Sequence, residues 1–241
     1  MHLKFYLFLL FNQLFLVNCT QKCLKHPKAS VPLSIDKLKS IISPCGVEKL
    51  DALGEHIKCE QAHPQIINSL TKYKLDESPC AVAMYLSTLM LESGNLTYNR
   101  NHYPPPGIVG MGTRFMLNPY NLYIFVKSNP DLFTKYQEIY KLTDYPYDEN
   151  NNFSKKLILD LLMKDEFSFL PGAWWIAKGA EIIMGCTIKL ATCPPDGQVD
   201  TYIKKCLGVI ASDARMRAYQ AVINQIRVQE SQDSIKSLVF K

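Results

Sequence analysis

Apolar residues recur at helical spacing along most of this chain, and strand-like alternation is weak throughout. Residues 33–43 place Ile35, Leu38, Ile41 and Ile42 on one face behind Ser34, a residue suited to capping. Residues 46–58 and 64–73 predict shorter helices. Residues 79–92 are apolar almost all round, the pattern of a helix buried at the centre of a fold. Asn118-Pro119 and Asn129-Pro130 each set a capping residue before proline at a first helical position, and open helices over about 119–127 and 130–141. Further helices are predicted over 153–164 and 170–184, the second carrying Trp174 and Trp175. Two more follow at about 199–210 and 212–228, the last capped by Ser212 or Asp213.

This pattern predicts a mainly α chain with a single helical domain. Its expected organisation is a signal peptide over 1–19, a helical N-terminal segment over 20–78, the main domain over 79–228 and a polar tail over 229–241. The 241 residues are 47% hydrophobic and 20% charged, which excludes disordered and collagen-like classes and suffices for a real core. The formal charge of +5 is mild and unclustered, unlike the basic footprint of a nucleic-acid binder.

The first residues read as a targeting signal. Lys4 precedes an apolar run from Phe5 to Val17, and Val17-Asn18-Cys19 fits cleavage after Cys19. The run is too short for a membrane anchor, and no later segment is apolar enough to span, so no membrane partner is expected after cleavage. Export agrees with cysteine usage. Cys23, Cys45, Cys59, Cys80, Cys186, Cys193 and Cys206 would remain, which gives three disulfides and one free thiol, with local pairing inside each cluster as the simplest expectation. Asn95 and Asn152 head glycosylation sequons. The expected product is a secreted, extracellular, monomeric glycoprotein.

Candidate chemistry concentrates in residues 86–121. A buried apolar helix ends on Glu92, with Gly94 placed to terminate it. The following loop is dense in Asn, Tyr, Arg, His and Gly. A carboxyl group at the end of a buried helix can serve as a general acid, as glycosidic oxygens require. The alternatives are a solvated helix end and a helix-end carboxylate paired with Arg100 or Arg114. His102 reads as a loop hydrogen-bonder. No metal-ligand spacing occurs. Asp148, Asn150 and Asn152 begin like a calcium loop, but Phe153 and Leu159 stand where Gly and Glu are needed. Neither a metal nor another cofactor is expected.

Glu92-Ser93-Gly94, the Gly110-Met111-Gly112 segment and Met116 together resemble the lysozyme-like superfamily, nearest to lytic transglycosylases and goose-type lysozymes. Tyr98-Asn99-Arg100-Asn101-His102, Gly110–Met116, Ala173-Trp174-Trp175 and Cys206-Leu207-Gly208 also resemble a family of secreted, mostly uncharacterised fungal proteins. The resemblance implies a lysozyme-like domain in which Glu92 is the general acid. It also implies that Gly110, Gly112, Thr113 and Met116 line the sugar cleft; Tyr98 either lines it or packs the loop, and Thr113, Arg114, Asn99 and Asn101 are the candidates for holding hydroxyl or acetamido groups. The chain departs from transglycosylases at Leu117, where they usually have Gln, and in the prolines at 104–106. A transglycosylase-like route needs no protein nucleophile, so the lack of a clear partner among Asp144, Asp148, Asp165 and Glu166 is compatible with it. The expected function is a secreted glycan-cleaving enzyme, a hydrolase or transglycosylase acting on peptidoglycan or a chitin-like polysaccharide. The alternative is a non-catalytic binding or effector protein on the same scaffold.

Overall fold

The computed structural model describes residues 30–46, 54–140, 148–190, 193 and 196–239. The segment read as a signal peptide and Cys23 lie outside the described residues. Helix α1 (Ile35–Ile41) starts where Ser34 Oγ accepts from the amide of Lys37 at 3.2 Å. Helix α2 (Cys59–Lys72) starts earlier than its apolar pattern suggested, with Pro64 inside its second turn. The helix predicted over 46–58 does not form where the chain is described. Residues 54–58 are non-helical, and Ile57 donates its amide to the carbonyl of Leu96 at 3.1 Å. The backbone here is bonded to a distant loop and not to its own next turn; residues 47–53 lie outside the described residues.

Helix α3 (Pro79–Glu92) matches its predicted bounds. Ser78 caps it, proline occupies its first position, and every residue from Cys80 to Leu89 is buried. Each large apolar side chain so buried contributes roughly 1.5–3 kcal/mol, more than any cap. Gly94 has a φ of +56°, and the amide of Asn95 reaches back to the carbonyl of Met90 at 2.8 Å, the helix-ending Schellman bond. Burial and termination together fix Glu92 at the rim of the core.

Helices α4 (Pro119–Lys127), α5 (Pro130–Tyr140) and α6 (Asn152–Leu162) follow. Asn118 caps α4 as expected, its Oδ1 accepting from the amide of Asn121 at 2.9 Å. Asn129 instead turns its side chain to the hydroxyl of Tyr73, which donates to it at 3.1 Å. The short α7 (Asp165–Ser168) leads into α8 (Leu170–Trp174), a π-helical turn over Trp175–Gly179 and α9 (Ala180–Met184), so the stretch predicted as one helix contains a wider turn at its middle. A second π-helical turn, Ile203–Leu207, extends α10 (Asp196–Tyr202). Helix α11 (Asp213–Val239) continues through the stretch read as a polar tail.

The described residues from Val31 onward form one packed unit. Helix α3 packs most heavily against α11, while α4 packs on α6 and α1 on α2. Leu38, Ile66, Leu70, Tyr85, Phe125 and Trp174 are fully buried in a shared core, so the residues before 79 and those after it stabilise one another. Among the described residues there are no strands, only isolated bridges pairing Arg100 with Gly112 and Gly112 with Leu117. No helix among them is long and apolar enough to cross a membrane.

Among the described residues three disulfides are formed. Cys45–Cys59 and Cys186–Cys206 are local, as expected. Cys80–Cys193 is not local and corrects the expectation of pairing within each cluster. The start of α3 lies beside the segment near residue 190, where Ser78 Oγ donates to the carbonyl of Leu190, so Cys80 meets a cysteine 113 residues away.

Candidate active site

Glu92 lines a cavity of about 270 Å³, just below the usual range for small-ligand pockets. Its carboxylate Oε1 accepts from Arg215 Nη2 at 2.5 Å, and both side chains are about one-fifth exposed. Neither Arg100 nor Arg114, the partners foreseen from sequence, makes this contact. Arg215 sits in the first turn of α11, where Ser212 Oγ accepts its amide at 3.4 Å. Met116, Phe115 and Trp175 contribute apolar wall, and Asn118 and Asn121 contribute amides.

The wall takes its shape from the loop between Glu92 and α4. Gly112 and Leu117 exchange both backbone hydrogen bonds, at 3.1 and 2.9 Å, and close a tight turn through Thr113 and Met116. Thr113 has a φ of +64° and Met116 one of +47°. A β-branched threonine there is a true outlier, and such strain persists only where the surroundings over-determine it. Those surroundings are specific. Arg114 is 1% exposed. Its Nη1 donates to the carbonyls of Leu96 and Tyr98, both at 3.1 Å, and its Nη2 to the carbonyl of Glu55 at 2.6 Å.

The Glu55 carboxylate completes the brace. Its Oε2 accepts from the amides of Asn99 and Arg100 at 2.9 and 3.1 Å and lies 3.2 Å from His102 Nε2, while Oε1 is 2.7 Å from Arg100 Nε. A nearly buried carboxylate is tolerable only with such partners. His102 is thus the loop hydrogen-bonder its setting suggested.

The predicted sugar-holding residues therefore divide. Glu92 and Met116 line the cavity. Asn99, Gly112, Thr113 and Arg114 are buried in the loop's framework, with Asn99 Nδ2 donating to the carbonyl of Met163 at 2.7 Å. Asn101 and Gly110 line a second cavity of about 220 Å³ under the proline loop. Tyr98 packs edge-on against His102. Both sequons end on hydroxyl residues, Thr97 and Ser154, that are completely buried, while Asn152 is exposed and Asn95 partly so.

Sequence reasoning missed Arg215, Glu55 and the π-helical turns. Trp175 reaches the cavity from one such turn, and its Nε1 donates to the carbonyl of Cys206 in the other at 2.9 Å. Wide turns of this kind recur at functional sites and were the available signal only once the backbone was known. Among the described residues that line the cavity, Glu92 is the one carboxylate. Asp148, Asp165 and Glu166 lie outside its lining, and Asp144 lies outside the described residues. Burial pushes the hydroxyls of Tyr85 and Tyr202 far above the ordinary tyrosine range, but they serve the core.

Comparison with known proteins adds one partial likeness. The chain is 32% identical over 149 residues to a bifunctional dioxygenase–epoxy alcohol synthase of Fusarium oxysporum (strain Fo5176). That stretch is 61% of this chain but 11% of the relative, so the chain spans about a tenth of the protein it matches. No family's sequence model matches the chain, and no solved structure matches it.

Proposed function

We propose that this is a secreted glycan-cleaving protein of lysozyme-like type, with Glu92 donating the proton to the leaving glycosidic oxygen. The observation that carries the reading is the position of Glu92. It ends a buried helix and opens into a cavity where aromatic and methionine wall meets two asparagine amides. That mixture suits a sugar, which offers apolar ring faces and polar edges. One carboxylate in the lining fits a route in which a sugar hydroxyl attacks and no protein nucleophile is required. The three disulfides are compatible with an oxidising, extracellular setting. The substrate class is peptidoglycan or a chitin-like polymer, and the working form is a monomer without a cofactor.

The Glu92–Arg215 ion pair favours a second reading, in which the same cavity binds glycan without cleaving it. An acid held by a guanidinium must be released before it can act. Release of soluble fragments from purified peptidoglycan and chitin separates the two. Cleavage by the wild type and its loss in Glu92→Gln supports Glu92 as the acid. Equal cleavage by both proteins removes Glu92 from the chemistry, and binding without cleavage by folded protein selects the second reading.

A further inference from the structure

We propose that Arg215 sets the specificity of the Glu92 cavity by receiving a carboxylate carried by the sugar, so that the preferred ligand is an acidic glycan. This deepens the glycan reading above and rests on it. Glu92 and Arg215 are the charged side chains among the described residues lining this cavity. Arg215 is held at the start of a long helix capped by Ser212, so the positive end of the helix adds to its own charge. Its guanidinium carries five donors in a planar fork that matches a carboxylate, and the contact to Glu92 is made through Nη2.

The exposure of the pair decides whether exchange is feasible. Breaking a fully buried ion pair leaves an uncompensated charge and is strongly opposed, whereas a solvent-exposed pair is held only weakly. Glu92 at 20% and Arg215 at 22% side-chain exposure are open enough for an incoming carboxylate to take over the guanidinium. The exchange leaves Arg215 paired and frees the Glu92 carboxylate, which takes the proton it donates from solvent, to face the glycosidic oxygen. A neutral sugar offers no such replacement. Asn118 and Asn121 supply amides for the uncharged edge of the same ligand. The carboxylate could come from the lactyl ether of muramic acid or from a uronic acid; the chemistry on Arg215 is the same.

The test is calorimetric titration of the full chain with three tetrasaccharides: one containing muramic acid, one of uronic acid, and one of N-acetylglucosamine. At least one acidic tetrasaccharide should bind about tenfold more tightly than the neutral one. Arg215→Gln should remove that preference, and Arg215→Lys should keep part of it. Which acidic ligand binds identifies the source of the carboxylate. Equal binding of acidic and neutral tetrasaccharides by the wild type overturns the role of Arg215 and leaves the glycan reading standing. An acidic preference that survives in Arg215→Gln also overturns it. If the folded wild type binds none of the three, the glycan reading itself fails and takes this proposal with it. The wild-type comparison needs no variant to fold, and the lysine variant supports the test if the glutamine one does not.

Discussion

Arg114 Nη2 donates to the main-chain carbonyl of Glu55 at 2.6 Å, across 59 residues of sequence. The same guanidinium serves the carbonyls of Leu96 and Tyr98, so one buried side chain ties the segment before α2 to both ends of the turn after α3. Arg114→Met keeps much of the volume and removes these donors. The Leu96 carbonyl keeps the amide of Ile57, but those of Glu55 and Tyr98 lose this donor at about 1–3 kcal/mol each, so a loss of about 2 kcal/mol or more is expected in chemical denaturation. Arg114→Lys should recover only part, because an ammonium lacks the planar fork. A loss below about 1 kcal/mol in the methionine variant would remove Arg114 from the framework and return it to the candidate sugar-binding groups.

The disulfides should rank by the loop each closes. Cys80–Cys193 spans 113 residues, Cys186–Cys206 spans 20 and Cys45–Cys59 spans 14. On the chain-entropy account a loop of about 100 residues gives roughly 4.7 kcal/mol and one of about 15 gives roughly 3. Replacing each pair by serines and comparing urea midpoints should show the largest loss for Cys80 with Cys193. A largest loss at Cys45 with Cys59 would mean that native contacts, not loop closure, dominate.

Much of this framework is legible in the sequence because it depends on neighbours along the chain. The bounds of α3 follow from Ser78-Pro79, an apolar run and Gly94; the start of α4 follows from Asn118-Pro119. Glu92 is visible for the same reason, being the first charge after that run. Glu55 is invisible, since its partners Asn99, Arg100 and His102 lie more than forty residues away and nothing local marks a carboxylate for burial. Arg215 reads as an ordinary polar residue in a first turn until α11 is laid along α3. Arg114 has a polarity that suits a ligand, and the fold uses it inside the loop, with Thr113 buried beside it. The link from Cys80 to Cys193 is a property of the packed state for the same reason.

High pH should unfold the protein before its buried tyrosines ionise. Burial pushes Tyr73 up to about 12, against a partial opposing effect of its hydrogen bond to Asn129, and raises Tyr85 and Tyr202 further. An unfolded tyrosine ionises near pH 10. Above that pH the unfolded chain loses protons that the folded chain keeps, so stability is full below about pH 10 and falls as pH rises through the folded values. The buried phenolates should appear only together with loss of helical circular dichroism. Their appearance in a fully helical protein would show that these hydroxyls are open to solvent.

Gly110 and Gly112 should resist alanine for different reasons. A Cβ on Gly110 would stand 2.6 Å from Lys155 Cβ, at a φ of +78° that disfavours any side chain. A Cβ on Gly112 would stand 2.7 Å from the carbonyl oxygen of Asn99, inside the bridge that shapes the cavity wall. Each substitution should cost about 1–3 kcal/mol. Gly112→Ala should also weaken ligand binding at the Glu92 cavity more than Gly110→Ala, because it displaces the Gly112–Leu117 turn itself. Melting curves with parallel ligand titration test this, and unchanged binding in Gly112→Ala would detach the turn from the cavity.

The Glu55 carboxylate gives the sharpest separation of framework from site. Glu55→Gln keeps the shape, retains one acceptor oxygen, and ends the ion pair with Arg100. Glu55→Ala also removes the acceptor of the Asn99 and Arg100 amides. Stability should therefore fall in steps, with the alanine variant about 3 kcal/mol or more below wild type and the glutamine variant between them. Because Glu55 is absent from the lining of the Glu92 cavity, binding by the still-folded glutamine variant should weaken only through displacement of the loop. The acid-over-neutral preference assigned to Arg215 should survive in it. Loss of that preference in Glu55→Gln, with the helical fold intact, would mean that the charge of Glu55 and its partners acts on the ligand directly and that the site extends beyond the cavity at Glu92.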